Sequence, residues 1–251
     1  SGLKCYAFPL KISETGKDYD FRKPKKAISP NVKPEFIKKF NYKEKISEEQ
    51  IFYYIYGILF TPIYRNRYHF GLKEEFPRIS FPKTEESLIE MSNLGKRLAD
   101  LHLFRNSDLD TSQVEMSKST DYKVYYIRKN DKDKAGNQIS DTYDPKTQRI
   151  YFKKRAKTQI EKELQGNRLD DITWIGEITQ QMWDFEIGGR QQLKEWLYNR
   201  MYSLESKKGK ISRPLNNKEL DYFLKICDAI KKTIKLLPEL DEVYVKIDPE
   251  D

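Results

Sequence analysis

The chain has 251 residues, 37% hydrophobic and 34% charged, and carries 17 Tyr, 13 Phe and 3 Trp. Those proportions exclude a disordered tail, and the length allows a core that buries roughly 70–75% of the unfolded surface. With 47 basic against 39 acidic residues the formal net charge is +8. The longest apolar run, residues 51–60, is about half of what a membrane span needs, so no transmembrane helix is expected. The opening Ser1-Gly2-Leu3-Lys4-Cys5-Tyr6 has no secretory apolar region and reads as the start of a fragment of a longer, cytoplasmic chain.

Residues 11–35 hold Pro24, Pro30 and Pro34 among Lys and Ser with little periodicity, which predicts an extended lead-in over 1–45. Ser47-Glu48-Glu49-Gln50 has the spacing of a capping box. The helix it opens should be buried on most sides, with Ile51, Ile55, Ile58 and Leu59 at helical spacing and tyrosines between them. Pro62 suits the first turn of a second, short helix over 63–70 that presents Arg65 and Arg67. From Thr84 another capped helix carries Leu88, Met91, Leu94, Leu98 and Leu101 inward.

Near residue 120 the pattern changes. Residues 122–129 and 149–154 are rich in aromatic and β-branched residues edged by charge, which predicts strands. Residues 144–148, Asp-Pro-Lys-Thr-Gln, form a turn with Pro at its second position, and 171–176 extend the sheet. Gly188-Gly189-Arg190 then opens a helix with Leu193, Trp196, Leu197 and Met201 on its inner face, the glycines allowing close backbone approach. A last helical stripe runs from Leu220 through Phe223, Leu224, Cys227, Ile230 and Ile234 to Leu237. The expected fold is α+β: helical over 46–105, a central twisted antiparallel sheet in a basic segment over 115–178, and helices over 188–238.

The positive charge is segregated. Residues 1–45 hold 12 basic and 5 acidic side chains and residues 115–168 hold 14 and 8, whereas residues 169–251 hold 13 and 16. Clustering of this kind is the footprint of a phosphate-contacting surface, and equally of a solvated lysine-rich one.

Reactive chemistry is sparse. Cys5 and Cys227 form neither a disulfide framework nor a C-x-x-C pair, and His69 and His102 lack a ligand partner at helical spacing, so no metal is expected. No G-x-G or G-x-x-x-x-G-K-[ST] loop occurs, so no nucleotide cofactor is expected, and the absence of any Pro-Pro pair removes the Asn-Pro-Pro-Tyr loop of amino-methyltransferases. Paired acids such as Glu48 with Glu49 and Asp170 with Asp171 point apart, and no basic residue completes a nuclease set. The chain is therefore read as non-catalytic.

Three stretches resemble the C-terminal specificity region of type ISP restriction–modification enzymes. These are single chains that join nuclease, helicase-like and adenine-N6 methyltransferase parts to a target-recognition domain. The stretches are Phe52-Tyr53-Tyr54-Ile55-Tyr56-Gly57-Ile58-Leu59 with Thr61-Pro62-Ile63-Tyr64-Arg65 and Phe76-Pro77-Arg78-Ile79; Leu94-Gly95-Lys96-Arg97-Leu98-Ala99-Asp100-Leu101-His102-Leu103; and Trp183-Asp184-Phe185-Glu186-Ile187-Gly188-Gly189-Arg190 through Leu197. They span most of residues 50–235. Arg190 stands where the family usually has Tyr. The resemblance implies that residues 3–10 lead out of a preceding methyltransferase domain, that the partner is double-stranded DNA, and that adenine flipping is left to that domain.

On that footing base readout falls to Arg128, Asn130, Gln148 and Arg149, because Arg pairs with guanine and Gln or Asn with adenine in the major groove. Phosphate contact falls to Lys129, Lys153, Lys154, Arg155 and Lys157, with Arg65, Arg67 and Arg190 behind them. Two rivals remain. One is a scaffolding module that docks other domains of a multidomain enzyme without touching DNA. The other is a nuclease with an unfamiliar carboxylate site.

Overall fold

The computed structural model describes residues 11–13, 28–30, 37–38, 46–105, 109–111, 114–118, 121–124, 142–152, 173–201, 211 and 213–249. The chain divides into two compact units, one formed by residues 1–103 with 235–251 and the other by residues 104–234. The fold is α+β, with helices and, among the described residues, three small antiparallel sheets.

The first sheet pairs β1 (Lys11–Ser13) with β2 (Ile28–Pro30), Lys11 opposite Pro30. The expected extended lead-in thus contains a short ladder, with Pro30 at the end of a strand where a missing N–H costs least, and the rest of residues 1–45, apart from 37–38, lies outside the described set. Helix α1 (Glu48–Phe60) begins at the expected capping box: Ser47 Oγ accepts from the Gln50 amide at 3.2 Å, and Gln50 Oε1 accepts from the Ser47 amide at 2.9 Å. Helix α2 (Pro62–Arg67) follows directly, with Pro62 in its first turn. After α3 (Gly71–Glu74) comes α4 (Glu85–His102), capped by Thr84, whose Oγ1 accepts from the Ser87 amide at 3.1 Å.

The middle of the chain supplies β3 (Tyr143–Asp144), β4 (Arg149–Tyr151) and β5 (Trp174–Ile175), which form one sheet in that order. Ile150 sits opposite Tyr143 on one side and Ile175 on the other. Helix α5 (Gln180–Trp183) leads to a hairpin of β6 (Glu186–Ile187) and β7 (Arg190–Gln191), and then α6 (Gln192–Tyr198). Gly188 and Gly189 therefore do not open a helix. With φ of 59° and 73° they are the two central residues of a type I′ hairpin turn, which needs a left-handed backbone at both positions. A Cβ on either would meet nothing within 4 Å, so backbone handedness, not close packing, is what calls for glycine there. Of the expected strand 122–129, Val124 makes a parallel bridge to Met201, and residues 125–129 lie outside the described set. Helix α7 (Asn217–Ile247) closes the chain and continues through Pro238, beyond the expected end of its stripe.

In the first unit α1 packs on α4, with Ile51, Tyr54 and Ile58 meeting the inward stripe Leu88, Met91, Leu94, Leu98 and Leu101. Gly95 lies at this contact, and a Cβ added there would overlap the Tyr53 carbonyl oxygen. Tyr64 of α2 is buried edge-on against Tyr244 of α7, with ring centroids 5.8 Å apart. The Ile63 amide donates to Asp241 Oδ1 at 2.9 Å, which satisfies one of the orphan donors at the start of α2. Leu236, Leu240, Val243, Tyr244 and Ile247 are buried, and this apolar face explains why α7 tolerates a proline that costs roughly 3 kcal/mol inside a helix.

The second unit has its own core. Ile150, Ile175, Leu193, Leu197 and Phe223 are fully buried, joined by Tyr122, Phe152, Trp183 and Cys227. Each large apolar side chain removed from water contributes roughly 1.5–3 kcal/mol, so this cluster holds the small sheet against α6 and the first half of α7. Burial pushes the Cys227 thiol well above its usual range, and the group packs as a small hydrophobe.

Candidate nucleic-acid interface

Of the proposed contact residues, Gln148, Arg149, Arg65, Arg67 and Arg190 belong to the described set. Arg128, Lys129, Asn130, Lys153, Lys154, Arg155 and Lys157 lie outside it. Gln148, Arg149 and Arg190 fall in the second unit, Arg65 and Arg67 in the first.

Gln148 and Arg149 sit where β4 leaves the four-residue turn 145–148. Asp144 builds that turn from its own strand: Oδ1 accepts from the Lys146 amide at 3.0 Å and Oδ2 from Thr147 Oγ1 at 2.9 Å. Gln148 closes the turn with φ of 52°, a left-handed conformation that costs a side-chain-bearing residue roughly 1–2 kcal/mol. Its carbonyl accepts from the Ile178 amide at 2.9 Å, while its side chain stands exposed. Glu177, beside that bond, is left-handed as well, at 55°, and its carboxylate accepts from Lys231 Nζ at 2.9 Å.

Arg149 reaches across the sheet to Trp174. Its Cζ lies 3.7 Å from the centroid of the indole ring, a cation–π contact. Asp144 faces Arg149 in the ladder, yet its carboxylate is used in the turn, and Arg149 pairs with no carboxylate among the described residues. The backbone that carries the indole is held, and the ring packs on Gly176. The Trp174 amide donates to Ser117 Oγ at 3.0 Å, the Ser117 amide donates to the Trp174 carbonyl at 3.0 Å, and a Cβ at Gly176 would meet the ring's Cζ3 at 2.9 Å. Beneath the turn Tyr143 stacks on Trp183 with centroids 4.9 Å apart and donates to the Ile178 carbonyl at 2.9 Å. Burial, with the Asp184 and Asp144 carboxylates nearby, pushes the Tyr143 hydroxyl up to about 12, so it remains a donor.

The three remaining arginines differ. Arg65 is exposed on α2, and Arg190 is exposed beside the hairpin turn, opposite Ile187. Arg67 is engaged inside its own unit: Nη1 donates to the Asp248 carbonyl at 2.9 Å and lies 3.3 Å from Asp248 Oδ2. Burial would raise the Asp248 carboxyl, but hydrogen bonds from Tyr244, Tyr68 and Ser80 and the Arg67 charge together hold it below the usual carboxylate range. Trp174 is the site residue that sequence reasoning left among strand residues. The signal available was an aromatic beside a basic strand, which does not distinguish a core tryptophan from a platform.

Among the described residues no cluster of His, Cys, Asp and Glu could hold a metal ion, and no helix is long and apolar enough to cross a membrane. His102 is half-buried against Phe60 and bonded through Nδ1 to the Tyr56 hydroxyl at 2.7 Å; desolvation lowers it to about 4, so it is neutral at physiological pH.

The family model of the Type ISP C-terminal specificity domain matches residues 3–229. The chain belongs to that family. Its fold is shared by an ATP-dependent Type ISP restriction-modification enzyme, LlaBIII, bound to DNA, at 19% identity and a TM-score of 0.60 over 92% of this chain and 13% of that one. The DrdV–DNA complex is similar at 20% identity and a TM-score of 0.57, covering 84% of this chain and 20% of that one. A nuclease-deletion mutant of the Type ISP enzyme LlaGI, in complex with a DNA substrate mimic, matches at 20% identity and a TM-score of 0.50 over 78% of this chain and 14% of that one. The specificity domain thus spans a fifth or less of the solved chains that it resembles. No curated protein matches it.

Proposed function

We propose that this Type ISP specificity domain recognises a sequence in double-stranded DNA and directs an adenine-N6 methyltransferase and restriction activity carried elsewhere in the same polypeptide. In this role it is not a catalyst and needs no cofactor of its own. One observation carries the reading: a chain of a specificity-domain family presents, at consecutive positions where a turn enters a strand, the exposed amide of Gln148 and the Arg149 guanidinium, which stacks on Trp174 and pairs with no carboxylate among the described residues. These are the two side-chain types that read adenine and guanine edges in the major groove. The DNA-bound states of the similar enzymes support the same role. Arg65 and Arg190, exposed and unpaired among the described residues, are the phosphate candidates within that set. Lys129, Lys153, Lys154, Arg155 and Lys157 remain proposed phosphate contacts and Arg128 and Asn130 proposed base contacts from the basic segment. The cytoplasm is the setting that this role implies.

Duplex affinity measured against salt tests the reading. Neutralising six to eight phosphates gives a slope of log K against log salt of about −5 to −7. An affinity that stays flat over the same range overturns DNA recognition in favour of a scaffolding module.

A further inference from the structure

We infer that Trp174 is the positioning residue of a guanine-reading Arg149: the indole holds the guanidinium as a flat, preset fork for the O6 and N7 edge of one guanine. The inference rests on the proposed DNA-recognition role and assigns one of its contacts.

Three features of the corner point this way. A guanidinium lying over an aromatic ring keeps its N–H groups directed outward in its own plane, the arrangement that a bidentate contact to guanine requires and a phosphate contact does not. The Arg149 Cζ lies 3.7 Å from the Trp174 centroid, so the ring occupies one face of the fork and not its N–H edge. Next, the carboxylate best placed to quench Arg149 is turned away: Asp144, directly opposite in the ladder, spends both oxygens on Lys146 and Thr147. A salt bridge built only to tie β3 to β4 would use that partner. Finally, the backbone that carries the platform is anchored by two hydrogen bonds between the Trp174 main chain and Ser117, and the ring packs over Gly176, where any larger side chain would press on it. A platform on an anchored strand sets the direction of what lies on it, and part of the entropy of ordering a long arginine is lost on folding instead of on binding.

Selection of binding sites from random duplexes by the full chain tests this, with Arg149→Lys, Trp174→Leu and Trp174→Phe run beside the wild type. The expected result is a wild-type site containing one guanine whose preference falls about 10-fold or more in Arg149→Lys, since lysine keeps the charge but not the fork. Trp174→Leu weakens the preference at that same position about 3- to 10-fold and leaves the other positions unchanged. Trp174→Phe retains most of it. Circular dichroism checks that each variant folds, and if Trp174→Leu does not, Arg149→Lys and Trp174→Phe decide the matter. An unaltered site in Arg149→Lys overturns the inference, as does a Trp174→Leu or Trp174→Phe protein that weakens all sequences equally. A wild-type chain that selects no sequence at all overturns the recognition role itself, and this assignment with it; a selected site that ignores Arg149 overturns only the assignment.

Discussion

A left-handed backbone at a residue other than glycine is a local cost, and Gln148 bears it at an exposed position. Gln148→Gly removes the clash between Cβ and the carbonyl, so the variant should be about 1 kcal/mol more stable in urea unfolding while losing any contact that the amide makes. A gain in stability coupled to a loss in binding is the outcome expected where strain serves a surface role. His102 leads to a second residue-scale prediction, this one in pH. Its folded pKa of about 4 lies below the ordinary 6.5, so the unfolded chain takes up the proton first as pH falls. The stability tied to its neutral form is therefore complete above pH 6.5 and is lost as pH drops towards 4, by about 2–3 kcal/mol. Unfolding measured across that window should show a steeper loss for the wild type than for His102→Gln. Neither property was legible from residue type: a Gln at the end of a turn and a His at the end of a helix look ordinary until their φ angle and burial are known.

At the scale of elements the sequence was informative wherever a side chain closes its own local structure. The capping boxes at Ser47 and Thr84 and the stripe from Leu88 to Leu101 fix α1 and α4 with no reference to distant residues. The turn at 144–148 was readable because Asp144 and Pro145 shape it within five residues. The Gly-Gly pair was misread for the complementary reason. Two glycines before an amphipathic helix are compatible with a helix start and with a type I′ turn, and the pairing of Glu186 with Gln191 decides between them. Helix α7 was underestimated because Pro238 is a local stop signal that burial of Leu240, Val243, Tyr244 and Ile247 overrides. Close approach of α1 and α4 at Gly95 was equally invisible in sequence. Gly95→Ala should destabilise the chain by about 3 kcal/mol or more, because the backbone carbonyl of Tyr53 cannot step aside as a flexible side chain can. Gly71→Ala, facing open space, should stay within about 0.5 kcal/mol in the same unfolding assay.

For the whole molecule, the charge map and the family motifs carried different information. The motifs carry packing residues of both units, the buried Ile58, Leu94, Leu98 and Leu197 among them, and these identify the fold and say little about the contact surface. The charge map pointed to residues 115–168, and within the described part of that segment it leads to the Gln148–Arg149 corner. The order in which the two units are encoded has a consequence for biosynthesis. Helices α1 to α4 leave the ribosome before the second unit, yet Tyr64 and Ile63 obtain Tyr244 and Asp241 only when residues 235–251 are translated. At 5–20 residues per second the intervening 104–234 take on the order of ten seconds to make, and during that interval the second unit can fold while the nascent helices wait with an apolar side uncovered. Premature termination after residue 234 would therefore damage the amino-terminal helices, farthest away in sequence, and leave the later-made unit with every residue it uses.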